Sequence, residues 1–504
     1  MKEGQPEEIA AAIATARTGG RADRLGTKLP VRERLRLLLD EGSFVEDGLL
    51  ANAVNEGYAA DGVITGVGRI DGRLVAVIGH DPTVKAGSWG ALTVEKQIRI
   101  LERADADLLP VFYLVDSAGG RLSDQMGFFP NRRGASHLFH LQIALSGRVP
   151  QVCCLFGPSA AGGAYMPAFT DWVAMVDGNA SMYLASPRVA EMVTGERTTL
   201  EEMGGATLHT TQSGCADLLC RDDKEAIAAA LSFFSYLPSS WQQRPADAPA
   251  VDPAVSGWAG VIPQNDRRGY DVRDVIVRLV DAGSFFEVKE AWATEIVVGF
   301  GRLDGRAVGI VANQPKVRGG AIFVDSADKC TRFVHLCDAF NIPLLFLADV
   351  PGFMIGTAVE RQGIIRHGAK MIAAMASAEV PKFSVVLRKA YAAGFYAMGA
   401  PGFGPRATIA LPTASIAAMG VDAAVNAMYA AKLDTLPDDE RADFLAARRA
   451  EYEADLGLLS VASQLVVDSV VPPEDLRAEL VARLGAADGW SRSPQRRHHG
   501  VFPV

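Results

Sequence analysis

Apolar and polar positions follow one another along this chain in an order that predicts short strands, amphipathic helices and buried strands, twice over. Residues 74–78 and 307–311 are apolar runs after an Asp-Gly turn, which predicts the second arm of a β-hairpin. Residues 93–106 carry Val94, Ile98 and Leu101 with charges between them, the pattern of an amphipathic helix. Residues 111–115 and 344–347 are unbroken apolar runs directly after Pro110 and Pro343, as suits buried strands. Residues 152–156 and 383–387 are the next two strands of that kind. Each half reads strand, turn, strand, loop, helix, strand, so the expected class is α/β.

The order recurs because the sequence recurs. Gly66-Val67-Gly68-Arg69-Ile70-Asp71-Gly72-Arg73 returns as Gly299-Phe300-Gly301-Arg302-Leu303-Asp304-Gly305-Arg306, with six of eight positions identical at an offset of 233. At the same offset Pro82, Val84 and Gly87 answer Pro315, Val317 and Gly320, and Pro110, Asp116 and Gly119 answer Pro343, Asp349 and Gly352. A period that long is not a solenoid; it is a duplicated domain. Residues 238–271 hold Pro238, Pro245, Pro249, Pro253 and Pro263 among small and polar residues, which reads as a linker. The expected domains are 1–255 and 256–504.

Composition narrows the class of function. A chain of 504 residues can build two ample cores, and 49% hydrophobic with 22% charged residues is ordinary for a soluble globular protein. A net charge of −9 without a basic tract argues against nucleic acid, though not against local basic pockets for phosphates. The longest apolar runs, such as 342–350, are too short to cross a bilayer. The polar, acidic residues 1–10 resemble neither a signal nor a transit peptide, so a cytoplasmic protein without a membrane partner is expected. Cys153, Cys154, Cys215, Cys220, Cys330 and Cys337 fall in apolar or helical stretches and show no C-x2-C spacing. The eight histidines form no metal motif, so neither disulfides nor a metal site is expected.

Candidate chemistry lies in two small-residue loops that open into predicted helices. The first is Gly157-Pro158-Ser159-Ala160-Ala161-Gly162-Gly163-Ala164-Tyr165, the second Arg388-Lys389-Ala390-Tyr391-Ala392-Ala393-Gly394-Phe395-Tyr396. Aligning Val149-Pro150 with Val380-Pro381 pairs Gly163 with Gly394 and Tyr165 with Tyr396. Small residues let a ligand approach the backbone, and the first amides of a helix lack intrahelical partners. Together with the positive end of the helix dipole they can hold a developing oxyanion. The competing explanation is that these glycines only permit close strand–helix packing. Neither loop matches a nucleotide P-loop.

At these loops the chain resembles the carboxyltransferase (beta) subunits of biotin-dependent acyl-CoA carboxylases, the propionyl-CoA and methylcrotonoyl-CoA carboxylase family within the crotonase superfamily. The resemblance runs from Val31-Arg32-Glu33-Arg34-Leu35 to Arg497-His498-His499-Gly500. It includes Glu201-Glu202-Met203-Gly204-Gly205-Ala206 with His209 and Ser213-Gly214, Asn313-Gln314-Pro315-Lys316, Asp349-Val350-Pro351-Gly352-Phe353 and Ile365-Arg366-His367-Gly368-Ala369-Lys370.

The resemblance implies two tandem crotonase-like (ββα spiral) domains, the first on the acyl-CoA side and the second on the biotin side. It implies transfer of CO2 from carboxybiotin to a coenzyme A thioester, with biotin carried by a biotin carboxylase/biotin carboxyl carrier (alpha) subunit. The cofactor serves as the base, so no catalytic His, Cys or carboxylate is required. Carried over residue by residue, the thioester oxyanion donors are the amides of Ala161 and Gly162, and the biotin-side donors those of Ala393 and Gly394. The internal repeat brings Gly163 into the first set. Lys85 and Arg318, at equivalent repeat positions, are candidates for CoA phosphates. Tyr165 and Tyr396 are candidates for substrate selectivity. Family members form hexamers, so a homo-hexamer (a trimer of dimers) is expected.

Other polar residues receive ordinary roles. Asp116 and Asp349 read as loop caps rather than acids, His367 and Lys370 as solvated or packing residues on a helix, and Tyr391 as core. Cys153 and Cys154 read as inert buried thiols. In the second loop, propionyl-CoA enzymes resemble Lys-Ala-Tyr-Gly-Gly-Ala-Tyr-Asp, whereas here Tyr396 stands where the aspartate falls. Residues 393–398 are closer to the Ala-Gly-x-Tyr-Gly-Met pattern of methylcrotonoyl-CoA subunits. A branched or unsaturated acyl-CoA such as 3-methylcrotonoyl-CoA is therefore the expected acceptor, with propionyl-CoA or longer acyl-CoA next. An acyl-CoA decarboxylase of the same superfamily, or a non-catalytic assembly subunit of a carboxylase complex, are the alternatives.

Overall fold

The computed structural model describes residues 5–455, 457–491 and 499–503. Residues 1–4, and Arg497 and His498 of the tail motif, lie outside the described residues. The chain divides into two compact units, Met1–Pro245 with Pro494–Pro503, and Ala246–Ser493. The division thus falls before position 255, and the C-terminal segment returns to the first unit. There the Val501 amide donates to Ser146 Oγ at 2.9 Å.

The first unit is built on an eight-stranded sheet: β1 (Val45–Asp47), β2 (Val63–Ile70), β3 (Arg73–His80), β4 (Val111–Ser117), β5 (Gln151–Ala160), β6 (Trp172–Val176), β7 (Ser181–Tyr183) and β8 (Leu218–Cys220). Its order is β1-β2-β3-β4-β5-β6-β8, with β7 paired to the far end of β5. The second unit repeats the plan with β9 (Phe286–Val288), β10 (Ile296–Leu303), β11 (Arg306–Asn313), β12 (Leu344–Val350), β13 (Lys382–Tyr391), β14 (Ala407–Ala410), β15 (Ser415–Ala417) and β16 (Ser469–Val470). Its order is β9-β10-β11-β12-β13-β14-β16, with β15 on β13. In both, an antiparallel hairpin leads into parallel strands.

The repeated octapeptide is that hairpin. Ile70 pairs with Arg73 and Leu303 with Arg306, closing two-residue turns whose Asp-Gly residues all have positive φ. Asp-Gly tolerates that conformation, and its twist matches that of the strands. The second glycine of the motif makes room for packing. A Cβ on Gly68 would come within 2.7 Å of Leu39, and one on Gly301 within 2.7 Å of Val280. Leu39 and Val280 each follow the short helix, Val31–Leu38 or Arg273–Leu279, that covers the hairpin.

Two expectations need correction. Residues 246–271 are not a loose linker: Trp258, Val261 and Ile262 pack on the second unit's core beside Val275, Ile310 and Leu345. The segment also supplies the carbonyls of Pro263, Asn265 and Arg268 to Arg388 Nη1. Its prolines remove amide donors without preventing apolar side chains from docking. The strands β5 and β13 also run further than their apolar cores, to Ala160 and Tyr391, so residues 157–160 and 388–391 are strand rather than loop. Small or polar side chains do not interrupt a strand whose backbone remains paired, as β7 and β15 keep it here.

Candidate active site

Both sheets lose register at the same place. Val115 pairs with Leu155 and then Ser117 with Ser159; Ala348 pairs with Val386 and then Val350 with Ala390. The slip falls on Asp116 and Asp349. Neither caps a loop. Asp349 is fully buried, accepting from Arg388 Nε at 2.8 Å with Lys389 Nζ at 3.6 Å. Asp116 takes Lys28 Nζ at 2.9 Å and Arg34 Nη2 at 3.4 Å. Gly157 faces Asp116 so closely that a Cβ would lie 2.0 Å from Oδ1. A local turn reading cannot find these partners, because Lys28 and Arg34 come from a distant part of the chain. Buried carboxylates need such cations to offset lost hydration.

Beyond the slip each strand ends in a helical turn, Ala161–Ala164 running into Tyr165–Ala168 in the first unit and Ala392–Ala397 in the second. Ala161 and Ala392 both have φ +52°, a conformation costly for alanine, at equivalent places. That fixes the correspondence: Ala161 with Ala392, Gly162 with Ala393, Gly163 with Gly394 and Tyr165 with Tyr396. Exposure follows the same rhythm, with Gly162 and Ala393 open, Gly163 and Gly394 buried, and Tyr165 and Tyr396 open again. Among the described residues, the amides of Gly162, Gly163, Ala393 and Gly394 donate to nothing outside their own turns. Gly394 sits against the backbone, where a Cβ would approach Gly352 Cα and Val350 Cγ2 to 2.8 Å.

Lys85 and Arg318 occupy matching turns after β3 and β11, each at positive φ and each exposed. Lys85 Nζ lies 4.4 Å from the centroid of Tyr58, and Arg318 Cζ 4.5 Å from that of Phe323. The first turn is stitched to the end of β4: Ala118 donates to Ala86 O at 3.0 Å and Trp89 to Gly119 O at 2.8 Å. A Cβ on Gly119 would in turn meet Ala160 O at 3.2 Å. The ends of β3, β4 and β5 therefore lie side by side, and ligands of open α/β sheets bind at these carboxyl ends.

An aromatic wall that sequence reasoning missed backs the first loop. Phe139 lies 6.4 Å from Trp89, 6.4 Å from Tyr165 and 5.7 Å from Phe169, centroid to centroid. Trp89 Nε1 donates to His80 Nε2 at 3.0 Å. Burial pushes the His80 imidazole down to about 4, so it is neutral and accepts that bond. Of this set only Tyr165 stood in a motif; the others come from four separate segments and share no spacing. His367 and Lys370 are not simply solvated, since Nδ1 and Nζ reach Asp328 at 2.8 and 2.6 Å. Tyr391 is buried, as expected of core, with its hydroxyl donating to Ser415 Oγ at 3.2 Å.

A carboxyl transferase domain model matches residues 24–502. The chain belongs to the carboxyl transferase domain family. This carboxyltransferase is 54% identical over 479 residues to the uncharacterized carboxylase YngE of Bacillus subtilis, covering 95% of the chain and 94% of that protein. It is 38% identical to the carboxyltransferase subunit of propionyl-CoA carboxylase from Haloferax mediterranei, covering 100% and 99%. Its fold superposes on the transcarboxylase 12S crystal structure, a hexamer assembly with methylmalonyl-coenzyme A and methylmalonic acid bound. The TM-score is 0.92 at 36% identity, covering 100% of this chain and 99% of that one. Biotin-dependent acyl-CoA carboxylases are the setting in which such carboxyltransferases act, and among the described residues no helix is long and apolar enough to cross a membrane.

Proposed function

We propose that the chain transfers CO2 from carboxybiotin, carried by a separate alpha subunit, to an acyl-CoA, as one subunit of a homo-hexamer. The observation that carries this is the paired loop: two equivalent turns, each opening at φ +52° and each presenting two amides without outside partners. The reaction develops negative charge on two oxygens, and one turn serves each. The first-unit donors are Gly162 and Gly163, the structural equivalents of Ala393 and Gly394. Ala161, the conformational equivalent of Ala392, then shapes the turn rather than donating. This shifts the donor pair by one residue from a residue-by-residue carry-over.

Carboxybiotin, when bound, supplies both CO2 and the group that takes the substrate proton. The second turn suits it in one respect: Ala393 is open to solvent, while Gly394 packs its backbone on Gly352 and Val350 and so holds the turn in place. Ala393 and Gly394 hold the ureido oxygen; Gly162 and Gly163 hold the thioester oxygen as the acceptor carbon loses its proton and bonds to CO2. That carbon is the γ-carbon of 3-methylcrotonoyl-CoA or the α-carbon of a saturated acyl-CoA. Lys85 and Arg318 remain exposed cations for phosphate groups. Tyr165 and Tyr396 flank the two donor pairs and bear on acyl-chain choice. The motif at residues 393–398 favours 3-methylcrotonoyl-CoA or another branched or unsaturated acyl-CoA, and the propionyl-CoA relatives make propionyl-CoA the competing acceptor.

The test is a panel of acetyl-, propionyl-, butyryl-, 3-methylcrotonoyl- and long-chain acyl-CoA with a biotin carboxylase/carrier subunit, ATP and labelled bicarbonate. Biotin- and ATP-dependent labelling is expected, highest with 3-methylcrotonoyl-CoA. No labelling, together with CO2 release from methylmalonyl-CoA, would make the protein a decarboxylase.

A further inference from the structure

The first loop is tied down by a buried polar chain that, among the described residues, the second loop does not repeat. Gln142, on the helix Ala135–Leu145, is fully buried and donates from Nε2 to Met166 O at 2.7 Å. Met166 belongs to Tyr165–Ala168, and the Tyr165 amide closes on the carbonyls of Gly162 and Gly163. Gln142 is itself anchored, since its backbone carbonyl accepts from Gln151 Nε2 at 3.0 Å. Gln151 Oε1 accepts from the Tyr113 hydroxyl at 2.8 Å, and the Gln151 amide donates to Asp171 Oδ2 at 2.8 Å. The tie therefore reaches from β4 and the start of β5 to the turn that presents the amides.

The second unit is built differently at the same places. Lys382 stands where Gln151 does and sends Nζ to Met375 O and Ala378 O, away from Ala392–Ala397. Its loop helix is tied instead by Ser384 Oγ, donating to Met398 O at 3.1 Å. The position equivalent to Ser384 is Cys153, which lacks a hydroxyl. Among the described residues, Gln142 Oε1 has no hydrogen-bond partner. A buried amide oxygen left unpaired costs stability, so much of what the Gln142 bond contributes to folding is cancelled. The one side-chain hydrogen bond of Gln142 is the N–H donated to Met166 O.

We propose that Gln142 is a positioning residue, setting through Met166 the direction in which the Gly162 and Gly163 amides point at the thioester oxygen. The assignment rests on the carboxyltransferase reading above. Small displacements of oxyanion donors lower turnover without removing the contacts that bind the rest of a substrate.

The experiment uses the full chain with its biotin-carrying partner, ATP and labelled bicarbonate, on the best acyl-CoA of the panel. Gln142→Met keeps length and removes the donor. It should lower kcat on the order of 10- to 100-fold, leave KM for acyl-CoA and for the carrier within about twofold, and lower the melting temperature by no more than about a few degrees, since Met166 O loses its donor while the unpaired Oε1 is removed. Gln142→His, which restores a ring N–H at similar reach, should recover part of the lost kcat. If Gln142→Met does not fold, Gln142→Asn stays polar but falls short of Met166 O, and should show the same loss of kcat. An unchanged kcat in a folded donor-less variant, or a loss that the histidine does not relieve, would overturn the positioning role while the carboxyltransferase reading stands. A wild-type complex that labels no acyl-CoA would overturn both.

Discussion

Arg388 Nε donates to Asp349 Oδ2 at 2.8 Å, both side chains buried, at the point where β12 and β13 slip out of register. Three residues further on, Tyr391 ends β13 and the second loop begins. The pair therefore fixes the strand end from which the second-loop amides are presented. Asp349→Ala strands the guanidinium in the core and should cost about 3–5 kcal/mol in denaturant unfolding. Arg388→Met should cost less, because Lys389 Nζ remains 3.6 Å from the carboxylate. Equal losses from the two would show that Lys389 gives Asp349 no effective charge compensation.

The glycines of the two loops should respond unequally to a methyl group. On Gly394 it would meet backbone at 2.8 Å, whereas on Gly162 nothing lies within 4 Å. Gly394→Ala should lose about 1–3 kcal/mol of stability and most of its carboxyl transfer. Gly162→Ala should stay within about 0.5 kcal/mol of wild type. Thermal melts and the labelling assay, run side by side, check both.

Lys329 should give the protein a rising stability on the alkaline side. Its Nζ donates to the carbonyls of Trp292 and Ile296 at 2.8 and 2.9 Å, and burial pushes its pKa down to about 7 from 10.5. Between those values the unfolded chain binds the proton that the folded one releases. Stability from this group therefore increases with pH from about 7 to 10.5, by at most about 1.4 kcal/mol per pH unit. Urea titrations across that range should show a shallower pH slope for Lys329→Met than for wild type.

One thiol per native chain should react promptly with a disulfide reagent, and all six after unfolding. Cys215 is exposed, whereas Cys153, Cys154, Cys220, Cys330 and Cys337 are buried. Burial raises the pKa of each of those five, Cys220 to about 12. A single reactive thiol that survives Cys215→Ser would place the accessible cysteine elsewhere.

The repeat was legible because it lies in local chemistry. Asp71-Gly72 and Asp304-Gly305 each specify a hairpin turn through positive φ, and apolar runs after Pro110 and Pro343 specify buried strands; both signals act within a few residues. The two glycine loops could be found the same way, from small residues between a strand and a helix. The chain order of Gly162, Gly163, Ala393 and Gly394 was enough to mark them as candidates.

Which of those amides correspond, and what holds them, depended on contacts between segments far apart in the chain. Ala161 and Ala392 match because both adopt a left-handed conformation that no neighbouring residue dictates. Asp116 reaches back to Lys28 and Arg34, while its counterpart Asp349 uses the adjacent strand's Arg388, so the same aspartate is neutralised by different means in the two halves. Trp89, Phe139 and Phe169 form one wall, and Gln142 meets Met166, only once the parallel strands set their ends side by side. Turn chemistry and hydrophobic period are properties of a few consecutive residues and can be read in a line. Charge pairing and buried hydrogen bonds are settled by whatever the folded chain brings within about 3 Å, which no local pattern records.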